Sequence, residues 1–259
     1  MKVLSVVGFT QSGKTTTIEK IIIELRKRNY TVGSLKDIHY EEFQMDTDGT
    51  NTDRHRKAGS QLVAARGRDE TDILYSEHLD IYRILNFFDQ DYIILEGVNE
   101  GNFPKIIAAK DIEGIEGKLD EKAILVSGRI ADQIEYYKDL EAISCKEIDR
   151  LVDFIEENTF EVLPNYTKKC CGLCGLSCEE MCVDIVNKRK TRHDCIIHQD
   201  NISLAINDHK IEMVPFVQDI LRNNVMAIVK ELDGYKKGHK ITIDIGYSNE
   251  NNDIDQEET

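Results

Sequence analysis

The stretch from Val3 to Asn29 constrains this chain more than any other. An apolar, β-branched run, Val3 to Val7, has the length of a buried strand. Gly8-Phe9-Thr10-Gln11-Ser12-Gly13-Lys14-Thr15 then satisfies every fixed position of G-x-x-x-x-G-K-[ST]. Ile18, Ile21, Ile22 and Leu25 follow at helical spacing, with Glu19, Lys20, Lys27 and Arg28 on the other faces. Strand, glycine loop and helix in this order form the context in which the motif binds phosphate. Gly8 and Gly13 lack Cβ, so the loop can turn its N–H groups inward beside a helix N-terminus. Lys14 is then expected to reach the β- and γ-phosphates, and the Thr15 hydroxyl to bind Mg²⁺. A nucleoside triphosphate is the expected ligand.

The rest of the first 158 residues repeats the strand–helix theme. Strands are expected at Thr31–Lys36, Gln61–Ala65, Thr71–Tyr75, Tyr92–Leu95, Lys105–Ala109 and Lys122–Ser127. Helices are expected after Thr52, around Leu79, Tyr82, Leu85 and Phe88, and over Lys146–Ile155. The alternation gives an α/β fold: a P-loop NTPase with a mostly parallel central sheet covered by helices. Hydrophobic residues make up 41% of the chain, enough for a sizeable core. The run Tyr92-Ile93-Ile94-Leu95 ends in Glu96-Gly97, which puts a carboxylate where a parallel sheet opens to its ligand. Glu96 is expected to bind or orient the Mg²⁺, directly or through water. The loop holding His39, Asp46, Asp48 and Gly49 leaves two roles open, facing the γ-phosphate and metal or forming a solvated turn.

Several segments together resemble the MobB family, the adapter proteins of molybdopterin-guanine dinucleotide biosynthesis. They are GFTQSGKTT, Leu35-Lys36 with His39, the run from Met45 to Ser60, and the run from Leu95 to Ile106. Asp46 and Gly49 match a D-x-x-G element, Arg54, Ala58 and Gly59 match R-x-x-x-A-G, and Phe103-Pro104-Lys105-Ile106 matches the later proline-lysine. Asp37 stands where the family usually has histidine, and Asn51 where it usually has aspartate. The resemblance covers about the first 155 residues. It implies a GTP-binding helper, a weak GTPase, often dimeric, for the nucleotidyltransferase that attaches GMP to molybdopterin. Molybdopterin itself is an implied ligand, and a molybdo- or tungsto-enzyme a possible target. The nucleotide-binding set becomes Gly8, Gln11, Ser12, Gly13, Lys14, Thr15, Thr16, Lys36, His39, Asp46 and Arg54, with Lys14 and Glu96 in catalytic roles. No N-K-x-D element occurs, so the sequence names no base contact.

Asn158 to Lys169 is weakly patterned and holds Pro164, so residues 159–169 are expected to link a first domain, 1–158, to a second, 170–247. Six of the seven cysteines lie between Cys170 and Cys195, a crowding that points to metal rather than disulfides. Cys171, Cys174 and Cys178 with remote Cys195 fit a [4Fe–4S] cluster, and zinc is the alternative. The run CGLCGLSCEEMC is similar to iron–sulfur modules of corrinoid proteins and electron-transfer subunits, which usually place four residues, not three, before the third cysteine. Cys170 and Cys182 are spare ligands, and Cys145 is a lone core or surface thiol. A helix is expected between Cys182 and Cys195, a hairpin over 201–213 turning near Asn207-Asp208, a helix over Phe216–Leu232, a strand over Lys240–Ile245 and a disordered acidic tail over 248–259. Two further readings remain beside the cofactor adapter: a redox-gated NTPase delivering metal or electrons, and an iron–sulfur carrier with a nucleotide-sensing loop. The net charge of −15 argues against nucleic acid and anionic membrane as partners. With neither a secretory leader nor an apolar span of about 18 residues, a cytoplasmic protein is expected.

Overall fold

The computed structural model describes residues 1–39, 46–165, 171, 174–195, 202, 204–206, 209–211, 213, 215–235, 241–243 and 245. In chain order the elements are β1 (Lys2–Val7), α1 (Lys14–Lys27), β2 (Val32–Lys36), α2 (Asn51–Lys57), β3 (Leu62–Arg66), β4 (Thr71–Tyr75), α3 (Ile81–Leu85), β5 (Tyr92–Glu96), β6 (Lys105–Ala108), α4 (Ile112–Glu116), β7 (Ala123–Ser127), β8 (Tyr136–Tyr137), β9 (Leu140–Glu141), α5 (Ile148–Asn158), α6 (Cys178–Val186), β10 (Leu204–Ile206), β11 (His209–Ile211) and α7 (Pro215–Val229).

Five strands form one sheet in the order β2-β5-β1-β6-β7, and every pairing in it is parallel. The central strands are apolar on both faces because both faces are covered. Leu4, Val6, Ile94 and Ile106 pack against Ile18, Ile21 and Leu25 of α1 and Leu151, Val152 and Ile155 of α5. On the other face Val3, Ile93 and Leu95 meet Ile81 and Leu85 of α3, and Val7, Ile107 and Val126 meet Ile115 of α4. The alternation of β1 residues between these clusters is the pleat of a strand.

Three expectations are corrected here. β3 and β4 lie outside the main sheet and form an antiparallel hairpin of their own. Only residues 67–70 connect them, far too few for a parallel crossover, which takes a dozen or more. The helix placed between Cys182 and Cys195 instead starts at Cys178 and ends at Val186. Ser177 and Glu180 fix that start with a reciprocal capping box. The division of the chain also falls elsewhere: the compact units are residues 1–199 and 200–259. Residues 159–165 are bound to the first unit rather than linking two. Val162 N–H donates to Met1 O at 3.1 Å, Glu161 bridges Lys2, and Leu163 is buried. Apolar Val162 packs on Val3, Ile93 and Leu95 of the sheet, and Phe160 and Leu163 pack with Met181, Cys182 and Cys195, all gaining by leaving water.

In the second unit β10 and β11 pair antiparallel, with Ile206 opposite His209 across the expected turn, and α7 follows. Residues 241–243 and 245 carry no strand, and the acidic tail 248–259 lies outside the described residues.

Candidate nucleotide site

The loop between β1 and α1 is held by backbone contacts that only glycine permits. A Cβ on Gly8 would stand 2.1 Å from the Ala108 carbonyl oxygen. Gly13, at φ 98°, precedes α1 and offers no side-chain cap, and the first turn carries no acid. The N–H groups of that turn are therefore available to an anion. From the far side, Arg129 N–H donates to Ser12 O at 3.1 Å. Gly128 makes this approach possible, since its φ is +80° and a Cβ there would lie 2.4 Å from Ser12 O.

Four polar side chains converge at the mouth of the loop. Lys14 Nζ donates to Gly8 O at 2.8 Å and Phe9 O at 2.7 Å. Burial holds its pKa below the ordinary lysine value, while the Glu96 carboxylate pulls the other way. Thr15 Oγ1 donates to Glu96 Oε1 at 3.0 Å, and Lys36 Nζ stands 3.5 Å from the same oxygen. Glu96 owes its place to topology: it ends β5, in register with Val6 of β1 on one side and Lys36 of β2 on the other. Ser12 Oγ is buried without a hydrogen-bond partner among the described residues. It borders a cleft of about 350 Å³ lined also by Phe9, Ala109, Asp111, Glu113 and Gly117. A hydroxyl and a carboxylate side by side are hard oxygen donors of the kind Mg²⁺ takes. With the uncapped helix start and the lysine, they fit a metal-bound triphosphate.

Other expected residues are not joined to this group by any described contact. His39 is exposed, with Nε2 3.5 Å from Asp37 Oδ2. Asp46 Oδ1 accepts from Thr47 N, Thr50 Oγ1 and Thr52 Oγ1 at 2.8–2.9 Å, so this carboxylate organises the start of α2. Arg54 lies exposed on α2. The buried acid here is Asp53, which the sequence did not single out: it takes Gly49 N–H at 2.9 Å, Arg56 at 3.0 Å and Lys57 at 2.8 Å. Lys105 of the proline-lysine element is likewise structural, buried and bonded to Asn99 O and Asp120. Gly128 and Arg129 were missed, although a glycine directly after an apolar strand was a visible signal.

Cys182 and Cys195 are buried with Leu163 and Met181, and Cys171 and Cys174 pack against them. Cys178 is buried at the first turn of α6, one turn before Cys182. Burial pushes the Cys182 thiol up to about 12. No disulfide joins the described cysteines, and no three Cys, His, Asp or Glu side chains among the described residues stand where they could hold one metal ion. Cys170, a spare ligand in the sequence, lies outside the described residues.

The family model for molybdopterin guanine dinucleotide synthesis protein B, MobB, matches residues 3–127. A Bacillus subtilis protein named as a probable molybdopterin-guanine dinucleotide biosynthesis adapter protein is 31% identical over 118 residues, which are 44% of this chain and 68% of that one. The chain belongs to the MobB family. The crystal structure of Bacillus subtilis MobB matches with a TM-score of 0.52 and 25% identity, covering 61% of this chain and 97% of that one. The mostly parallel α/β sheet is thus that of MobB. A Methanocaldococcus jannaschii protein provisionally named as the same adapter is 28% identical over 255 residues, 96% of this chain and 99% of its own. Similarity to that MobB relative therefore continues through the cysteine-rich segment. No described helix is long and apolar enough to cross a membrane.

Proposed function

We propose that this protein is an adapter of molybdopterin guanine dinucleotide biosynthesis that binds Mg·GTP at the Gly8–Thr15 loop and hydrolyses it weakly. The observation that carries the nucleotide reading is the Thr15–Glu96 pair beside Lys14, at the carboxyl ends of parallel strands in a MobB chain. Lys14 exchanges its two carbonyl partners for phosphate oxygens. Thr15 and Glu96 would hold Mg²⁺, which would supply positive charge against the phosphates. Lys36, 3.5 Å from Glu96, orients that carboxylate. The partner is the enzyme that transfers GMP to molybdopterin, and the working form is a homodimer. Equilibrium titration tests the nucleotide claim: Mg·GTP is expected to bind more tightly than Mg·ATP, and equal affinities would leave a general nucleotide site. Co-elution with the GMP-transferring enzyme tests the adapter claim.

For the cysteine-rich segment we propose a thiolate-bound metal, a [4Fe–4S] cluster rather than zinc. The supporting observation is that Cys171, Cys174, Cys182 and Cys195 share one cluster. Anaerobically isolated protein is expected to contain about four iron and four sulfide per chain. One zinc without sulfide would make the segment a structural module, and no metal at all would leave it an apolar seal on the first unit.

A further inference from the structure

We propose that the turn after β7 and the turn before α5 form the base-binding end of the nucleotide site, with Asp132 as the residue that selects guanine. This rests on the reading of the loop as a nucleoside triphosphate site. One flank of the loop, toward β5 and β2, is taken up by Thr15, Glu96 and Lys36. The nucleoside must leave on the other flank, where Arg129 is docked on the loop through Ser12 O. The Arg129 stem runs beside Gly13, its Cγ 3.7 Å from the position of a Gly13 Cβ. Three residues on, Ser144 Oγ donates to Asp132 Oδ1 and Lys146 Nζ to Oδ2 at 2.6 Å. Ile143 N–H bonds Val126 O at 3.0 Å, which sets the Ser144–Lys146 turn at the carboxyl edge next to β7. Lys20 of α1 donates to Cys145 O at 3.0 Å and ties the same turn to the helix that carries Lys14 and Thr15. Phosphate loop, β7 turn and Ser144–Lys146 turn are thus parts of one rim.

The chemistry of that rim suits guanine. Guanine presents two donors side by side, N1–H and the 2-amino group, whereas adenine presents an acceptor at N1. An ionised carboxylate is acceptor-only, with lone pairs left on each oxygen after one bond. The Lys146 and Ser144 contacts favour the ionised form and hold Asp132 below the usual carboxylate range. Guanine O6 needs a donor, and Cys145 N–H in the adjoining turn donates to no described residue. The apolar stems of Arg129 and Lys146 are the ones offered to the base faces, Lys146 with its ammonium kept on Asp132. A base reader can therefore exist here without N-K-x-D.

The test is equilibrium titration of the full chain with Mg²⁺ complexes of GTP, ITP, ATP and XTP, for the wild type and Asp132→Asn. In the wild type, ITP lacks the 2-amino group and is expected to bind about 10-fold or more weaker than GTP, a comparison that needs no variant. Asp132→Asn is expected to lose about 10–100-fold in GTP affinity and to gain affinity for XTP, whose 2-oxo group accepts from the new amide. ATP affinity should not fall, since the amide no longer sets a carboxylate against the adenine N1 lone pair. A gain for XTP cannot come from loosened folding. If the wild type prefers GTP to ATP but ITP equals GTP, or Asp132→Asn keeps the preference, this inference falls alone. If the wild type binds no triphosphate, the nucleotide reading falls and takes the inference with it.

Discussion

Lys14 illustrates how much of the site a single residue type specifies and how much its neighbours add. Its position in the motif assigns it to phosphate, but its partners in the fold are the Gly8 and Phe9 carbonyls. Those carbonyls hold the ammonium at the loop mouth, so binding costs little rearrangement. Lys14→Ala removes charge-assisted bonds to the triphosphate and should weaken it about 10–100-fold. Little core packing is lost, so the thermal midpoint should stay within a few degrees of wild type. Titration with Mg·GTP and a circular-dichroism melt measure the two together. Unchanged affinity would show that the loop is not the phosphate site. Glu96 differs in kind: the apolar run before it was legible, but its bond to Thr15 depends on which strands lie beside β5.

At the scale of elements, α1, α3 and α5 follow directly from periodicity, the one-turn α4 was not foreseen, and α2 depends on polar contacts. Its start is built from Asp46, Thr50 and Thr52, and its buried acid Asp53 joins Gly49 N–H to Arg56 and Lys57. Those partners hold the Asp53 carboxyl well below the usual range, Lys57 most strongly. A depressed folded pKa gives stability that is present above the unfolded value, about pH 4, and is lost as the pH falls below it. Asp53→Asn should therefore lower the thermal midpoint by several degrees at pH 7, and the gap to wild type should narrow below pH 4. A gap that does not change with pH would mean that the carboxylate's charge contributes nothing. The β3–β4 hairpin shows the opposite limit, since both strands were legible from their residues but their sheet was decided by the short connection.

For the molecule as a whole, the decisive fact is that residues 159–195 belong to the first unit. Val162 bonds Met1, Lys122 Nζ reaches Glu179 Oε1 at 3.3 Å, and Val186 packs on the cluster formed by α1 and α5. A chain ending at residue 199 should fold cooperatively and keep its Mg·GTP affinity. A chain ending at residue 158 uncovers these apolar surfaces and should melt at a clearly lower temperature. Equal midpoints for the two fragments, measured by calorimetry, would show that the cysteine-rich segment adds nothing to the first unit.

The glycine loop between β1 and α1, the parallel α/β class and the helices α1 and α5 were determined by the sequence alone. Each rests on local signals, fixed glycines or a hydrophobic period, that need no knowledge of distant residues. The resemblance carried by the runs Met45–Ser60 and Leu95–Ile106 likewise pointed to the family. Only the tertiary structure decided which residues meet. It turned Asp46 to the N-terminus of α2, brought Gly128 and Arg129 against Ser12, placed Asp132 opposite Ser144 and Lys146, and gathered Cys182 with Cys195. These contacts join residues from different strands and turns. Strand order and register set them, and no local pattern encodes either.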